Sequence, residues 1–356
     1  MPWSIGLELL ILFNSRRVAS LGFGSALFVR ALIRKLVSGP EILIIATPEA
    51  PIPVDKAQIV IKILYIEFFR RISLKYNMII WLASYPKSGN TWLRMFLKSY
   101  YQKSSNGFKL QDTILDDFRT RGFPNLSTMK HLDIDFNKFP EIVKNWEAMQ
   151  DYLNLNNRTN FVKTHNSMCT IGPYKFTTSR NTKGGIYLVR DPREVLISYA
   201  NHMGYDYEKT FEFMEASDSY EVPTTGEGDK TYKKSLLGSW ANNYNSWNSY
   251  KPSKILVIKY EDMVLDKLNT FKKIIKYLNE IDDLEINDEK LNRALKQTEF
   301  GELQKLEEKH GFIEKRAGAT FFRKGKTGSW KQELPLDLIK KVEKAFYKEM
   351  VELGYL

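Results

Sequence analysis

Cysteine is almost absent from the 356 residues: Cys169 stands alone, which excludes an intrachain disulfide and any zinc cage built from several thiolates. That usage fits a reducing, cytoplasmic setting. Histidine is scarce as well, with four in the whole chain, so few imidazoles are on hand for acid–base work. Long apolar runs are missing. The longest uncharged one, Val18 to Val29, falls short of the ~18 residues that a membrane-spanning helix needs. No A-x-A site follows it and Arg30 returns directly, a poor match to a signal peptide. Blocks of like charge are missing too. The net charge is +11, yet beyond residue 77 acids and bases alternate, which suits a basic protein that handles small anions better than a nucleic-acid-binding arm.

What is present divides at Met78. Residues 1–77 hold ten Lys and Arg against five Asp and Glu, among short apolar pieces. A helix over Arg16 to Val37 would gather Arg16, Arg17, Arg30, Arg34 and Lys35 on one side, so this extension reads either as poorly ordered or as lying on a membrane surface. Residues 78–356 are expected to form one α/β domain, a mainly parallel central sheet flanked by helices. Strands are predicted over Met78–Ala83, Phe161–Lys163, Gly185–Val189 and Lys254–Lys259. Helices are predicted over Thr91–Tyr101, Phe139–Leu153, Pro192–Met203, Leu236–Tyr250, Leu268–Leu278, Glu289–Lys309 and Leu336–Leu353. Asp191, Pro192 and Glu194 form a capping-box-like helix start. Residues 210–232 and 311–335 read as loops.

Three segments offer groups for an anion. In the first, the strand ending at Ala83 runs through Lys87-Ser88-Gly89-Asn90-Thr91 into a helix, which presents unpaired backbone N–H groups and the positive helix end. In the second, Arg190 closes a strand, and Ser198 lies nearly two turns into the next helix, so both could face a crevice at the strand's carboxyl end. The third is Phe322-Arg323-Lys324-Gly325-Lys326-Thr327-Gly328-Ser329-Trp330, where glycines admit a ligand close to the backbone. Each alone could be a solvated turn; together they point to a ligand with several negative groups. A nucleotide kinase or other P-loop phosphotransferase is one reading. Its G-x-x-x-x-G-K-[ST] pattern fails at Thr320, and in the first loop lysine precedes glycine. A basic nucleic-acid or membrane-surface module is the non-enzymatic alternative.

Tyr85-Pro86-Lys87-Ser88-Gly89-Asn90-Thr91-Trp92 resembles the P-loop-like 5′-phosphosulfate loop of the sulfotransferases that use 3′-phosphoadenosine 5′-phosphosulfate (PAPS). In the same order, Arg190 to Tyr199 resembles that family's 3′-phosphate motif, Phe322 to Lys331 its RKGxxGxWK loop, and Lys163-Thr164-His165 its KTH segment. Gly238-Ser239-Trp240 with Trp247, and Tyr260 to Met263, also match; the resemblance spans roughly residues 78–340.

The resemblance implies sulfuryl transfer from PAPS to a hydroxyl, with an amine the less favoured acceptor, and no metal. It implies that His165 is the general base and that Lys87 meets the leaving phosphate oxygen, with Lys163 and Ser198 in the same catalytic set. Lys87, Ser88, Gly89, Asn90 and Thr91 would hold the phosphosulfate. Arg190, Ser198, Arg323, Lys324 and Gly325 would hold the 3′-phosphate, and Trp92, Tyr260, Thr298 and Phe300 the adenine. Asn90 stands where many members have threonine, with its N–H and amide still able to serve the phosphate. Glu299 departs from the family's TSF segment. Asn243 replaces a histidine that some members place near the acceptor, which weakens a phenol or steroid assignment. A small molecule, glycan or lipid hydroxyl is the expected acceptor, with no nucleic-acid partner. Such a transfer is a loose in-line displacement, where positioning and charge stabilisation supply most of the catalysis. An imidazole of ordinary pKa near 6.5 suits the proton removal.

Overall fold

The computed structural model describes residues 78–102, 120–155, 158–221, 235–312, 320–323 and 325–356, all within the compact unit Phe69–Leu356. The readings of residues 1–77 as an extension or a membrane-surface helix lie outside them. In chain order the strands are β1 (Ile79–Ser84), β2 (Thr120–Gly122), β3 (Asn160–Thr164), β4 (Thr170–Ile171), β5 (Tyr174–Lys175), β6 (Thr182–Val189), β7 (Tyr220–Glu221), β8 (Ser235–Leu236) and β9 (Lys254–Lys259).

Five of them form one sheet in the order β2-β3-β1-β6-β9, with every pairing parallel. Parallel strands covered on both faces read as continuous apolar runs, and β1, Ile-Ile-Trp-Leu-Ala-Ser, is buried at every position. Its side chains still alternate between faces. Ile79, Trp81 and Ala83 join Val162, Tyr187 and Val189 in a core closed by the helices Trp146–Asn154, Pro192–Met203, Trp240–Asn248 and Leu336–Ala345. Ile80 and Leu82 join Phe161, Ile186, Leu188 and Ile258 on the opposite face, beneath the helices Asn90–Tyr101, Lys267–Asp282 and Asp288–Gln297. The predicted α/β architecture with a parallel sheet and helices on both faces is therefore present.

The strand order sets the site. From the carboxyl end of β1 the chain leaves toward β2 and β3, and from that of β6 it leaves toward β9. Neighbouring strands whose continuations diverge leave a crevice above their carboxyl ends. The loop Tyr85–Gly89 and Arg190 both open onto it.

Helix boundaries depart from the periodic pattern at four places. The Phe139–Leu153 stretch is two helices, Phe139–Lys144 and Trp146–Asn154, because Asn145 ends the first and its Nδ2 donates to Glu141 O at 2.8 Å. At Leu236–Tyr250 the first residue lies in β8. Gly238 takes φ 65° and Ser239, accepting from Asn242 N at 3.0 Å, starts the helix only at Trp240. The Glu289–Lys309 stretch breaks after Gln297, with Thr298 capping one helix and Glu299 preceding the next. Leu336–Leu353 breaks at Phe346, which is buried in the core. Residues 207–215, partly read as loop, form a helix capped by Asp206. Among the described residues no helix is long and apolar enough to cross a membrane.

Candidate active site

Two residues curl the loop after β1. Lys87 has φ 68° although it bears a Cβ, and Gly89 has φ 96°. Left-handed residues set one apart turn successive amides toward a common point, an anion-binding nest, and a non-glycine held there is a strained position of the kind found at functional sites. The helix Asn90–Tyr101 starts directly after, with no acidic residue in its first turn and no side-chain cap. Its first amides have no carbonyl four residues back to accept them, and the helix dipole adds positive potential there.

Gly89 is required by its neighbour. A Cβ built on it would lie 2.6 Å from Tyr260 Cδ2. Tyr260 in turn stands beneath Arg190, whose Cζ is 4.2 Å from the ring centroid, and edge-on to Trp92 at 6.0 Å. The β6–β9 register aligns Val189 with Lys259, so Arg190 and Tyr260 follow side by side. Burial pushes the Tyr260 phenol above its ordinary pKa, with Arg190 opposing the shift.

Arg190 fastens the crevice. It donates to Lys87 O at 3.3 Å, to Lys326 O at 3.4 Å and to Glu194 Oε2 at 3.1 Å. Glu194 was expected to close a capping box. Instead its carboxylate also accepts from Ser329 Oγ and Trp330 N, each at 3.1 Å, so it joins Arg190 to the C-terminal basic loop. Asp191 does cap its helix, accepting from Arg193 N at 2.9 Å. Ser198 is half-buried on this helix, one turn past Glu194 and on the same side. Two donors within this cluster are buried and have no acceptor among the described residues: Ser88 Oγ and Arg190 Nε. Buried polar groups are seldom left so. A ligand with one anionic group at the β1 loop and another at Arg190 would satisfy both, and the residues therefore fit a ligand that bears more than one phosphate-like group.

His165 lies just past β3, 8% exposed. Its Nδ1 is 2.7 Å from the carbonyl oxygen of Ser84, the last residue of β1. A carbonyl can only accept, so Nδ1 carries the proton, and in the neutral ring the lone pair is on Nε2. Lys163, two residues earlier, is half-buried and pairs in register with Leu82. The Ser84 contact was not read from the sequence; it follows once Ala83 and Thr164 are seen to be register partners.

Of the remaining predicted residues, Thr298 bonds Trp92 and Phe300 shares an apolar cluster with it. Trp92 Nε1 donates to Thr298 O at 2.9 Å, and its ring packs edge-on to Phe271 at 5.6 Å. The Thr298 hydroxyl donates to Ala294 O at 2.7 Å, so it is the backbone oxygen of Thr298, not its hydroxyl, that bonds Trp92. Phe300 lies under Gly325, where a Cβ would come within 2.3 Å of the ring. Arg323 pairs with Glu333 at 3.2 Å. Lys324 is outside the described residues. Lys87 Nζ lies 4.1 Å from the centroid of Phe321, a residue without a role in the sequence motif.

One expectation is corrected. The Asn90 amide does not face the anion site: Nδ2 donates to Leu82 O at 2.8 Å, and Oδ1 accepts from Arg94 Nε at 3.2 Å. It ties the helix start to β1 and leaves only backbone to serve an anion. Asn243 is fully buried and hydrogen-bonded to protein groups. Cys169, its thiol pushed up to about 11 by burial, is a weak nucleophile.

Sequence comparison agrees with this geometry. The sulfotransferase domain family matches residues 78–354. A flavonol 3-sulfotransferase from Flaveria bidentis is 28% identical over 291 residues, covering 77% of this chain and 82% of that protein. A luciferin sulfotransferase from Photinus pyralis is 26% identical over 278 residues, 74% of this chain and 69% of its own. Among solved structures, mouse sulfotransferase SULT7A1 complexed with PAP aligns with 79% of this chain and 89% of its own, at 17% identity and a TM-score of 0.49. With a family match that begins at the residue before β1 and takes in the loop, His165, Arg190 and the C-terminal basic segment, the chain belongs to the sulfotransferase family and is a sulfotransferase enzyme.

Proposed function

We propose that this enzyme moves a sulfuryl group from PAPS to a hydroxyl of a small molecule, with His165 as general base and residues 78–356 as the catalytic domain. The observation that supports the reading is the His165 Nδ1 bond to the Ser84 carbonyl at 2.7 Å, which leaves the lone pair of the neutral ring on Nε2 and ties the ring to the end of β1, the strand that feeds the phosphosulfate-type loop. PAPS, when bound, supplies the activated sulfuryl group. Lys87, Ser88 and the amides of Gly89, Asn90 and Thr91 hold its phosphosulfate end, and Lys87 neutralises charge on the departing phosphate oxygen. Arg190, Ser198, Arg323, Lys324 and the Gly325 backbone hold the 3′-phosphate. Trp92, Tyr260, Thr298 and Phe300 form the adenine side. His165 takes the acceptor's proton at Nε2, and Ser84 keeps the ring in the tautomer that can do so.

Relatives named for a flavonol and for luciferin support a small-molecule acceptor over a glycan or a lipid. The test has two arms. Calorimetry should show PAP binding without ATP binding, and a PAPS-dependent screen across phenols, alcohols, lipids and glycans should show turnover confined to small hydroxyl compounds. ATP binding without PAP binding would return the chain to phosphoryl transfer and overturn the proposal.

A further inference from the structure

The helix Trp240–Asn248 presents three polar groups at positions i, i+3 and i+4, one face of one helix, to the segment that carries His165. Asn243 Nδ2 donates to His165 O at 3.0 Å, Ser246 Oγ accepts from Met168 N at 2.9 Å, and Trp247 Nε1 donates to Asn166 O at 2.9 Å. Asn243 is 0% exposed. Its Nδ2 also donates to Leu237 O at 2.8 Å, and its Oδ1 accepts from Tyr187 Oη at 2.9 Å. Two carbonyls face one end of the amide. Carbonyls only accept, so that end is the NH2 group and the orientation of the amide is determined.

We infer that Asn243 is a positioning residue for His165, holding its main-chain carbonyl while Ser84 holds its ring. Either bond alone leaves a rotation. The bond to His165 O restrains the peptide plane, the bond from Nδ1 restrains the ring, and together they aim Nε2. Tyr187, on β6 beneath the helix, acts through Asn243 by keeping Oδ1 occupied, so that the NH2 group stays turned to His165. A buried asparagine that served only packing could satisfy its amide on its own helix or loop. This one directs a donor to the carbonyl of His165, the residue proposed as the base. The inference rests on that reading for its catalytic meaning, but its test does not depend on turnover.

With four histidines in the chain, histidine-selective 15N labelling gives a spectrum simple enough to assign from a His165→Asn sample. In the native protein His165 should show a protonated, slowly exchanging Nδ1 and an unprotonated Nε2. Asn243→Ala should lose the slow Nδ1–H signal and average the two nitrogens, with PAP affinity and the other three histidine signals unchanged. Tyr187→Phe should weaken the same signal in the same direction; if Asn243→Ala does not fold, Tyr187→Phe decides on that signal alone. An unaltered His165 signal in the folded variants overturns the inference. Turnover of His165→Asn tests the base assignment separately, so failure of one reading is distinguishable from failure of the other.

Discussion

The guanidinium of Arg190 lies over the ring of Tyr260, its Cζ 4.2 Å from the ring centroid, while its Nη2 meets Glu194 at 3.1 Å. The side chains of both ion-pair partners are mostly buried, 11% and 4% exposed. One strand end thus holds a cation whose charge is matched inside the protein and whose Nε has no acceptor among the described residues. Arg190 is therefore both a structural tie and a donor available to a ligand.

The two roles separate by substitution. Arg190→Leu leaves the Glu194 carboxylate buried with only neutral donors, Ser329 Oγ and Trp330 N. Removing one partner of a buried pair costs about 3–5 kcal/mol. Adding Glu194→Gln removes the stranded charge, so the double variant should regain much of the melting temperature. It should not regain PAP affinity, because the donor itself is gone. Thermal melts with calorimetric PAP titrations check this; recovery of both in the double variant would remove Arg190 from the phosphate site.

Gly89 should tolerate no side chain. A Cβ would stand 2.6 Å from Tyr260 Cδ2, at a backbone φ of +96°. Gly89→Ala therefore shifts Tyr260 from beneath Arg190 and strains the loop, with roughly 1–2 kcal/mol from the left-handed backbone alone. PAP binding should fall by more than the melting temperature suggests. Gly89→Ala with Tyr260→Ala should cost less than the sum of the two single changes, because the clash is gone while the strained φ remains. Equal PAP affinity in Gly89→Ala and the native protein would contradict the close-packed loop.

Much of this site was legible in the sequence because each part is a local event. A short apolar run stopped by Ser84-Tyr85-Pro86, a lysine before a glycine and a following helical pattern describe the loop without any partner. Arg190 and His165 were legible as strand ends. The ties between these parts were not. That Glu194 spans to Ser329, that Tyr260 excludes a Cβ at Gly89 and that Asn243 reaches the His165 carbonyl depend on contacts between residues 70 or more positions apart. Strand order decides those, and helical or strand periodicity carries no record of it. The broken helices fail for a related reason. Asn145, Thr298 and Phe346 interrupt patterns whose spacing is otherwise helical; Asn145 and Thr298 bond back to a carbonyl four residues earlier, and Phe346 is buried in the core.

Stability should fall with rising pH through the titration of Glu261. Burial holds its carboxyl above the ordinary value, against hydrogen bonds from Asp191 N at 3.1 Å and Tyr355 Oη at 2.8 Å. A carboxyl with a raised folded pKa binds more protons folded than unfolded between the two pKa values. Its favourable contribution is thus complete below the unfolded carboxyl pKa and is lost as pH rises through the folded one. Glu261→Gln removes this titration and keeps an oxygen for the Asp191 amide. Relative to the variant, the native protein should be at its best in acid and lose ground toward neutrality. Melting curves from acid to neutral pH would show a constant difference if Glu261 were not the group responsible.

His165→Asn separates the positions of the two ring nitrogens. The asparagine NH2 group reaches roughly where Nδ1–H lies and can still donate to the Ser84 carbonyl, now 2.7 Å from Nδ1, so the fold and the loop keep their tie. Nothing replaces Nε2. The variant should melt near the native temperature and bind PAP normally, with turnover on any acceptor found by the screen reduced by roughly 10²- to 10⁴-fold, the usual worth of a positioned general base. His165→Gln, whose longer amide can extend toward the Nε2 position but is a far poorer base than imidazole, should be equally inactive and less stable, because it gives up the Ser84 bond. Turnover retained in His165→Asn would mean that another group accepts the acceptor's proton, and Lys163, two residues earlier on β3, is the next to substitute.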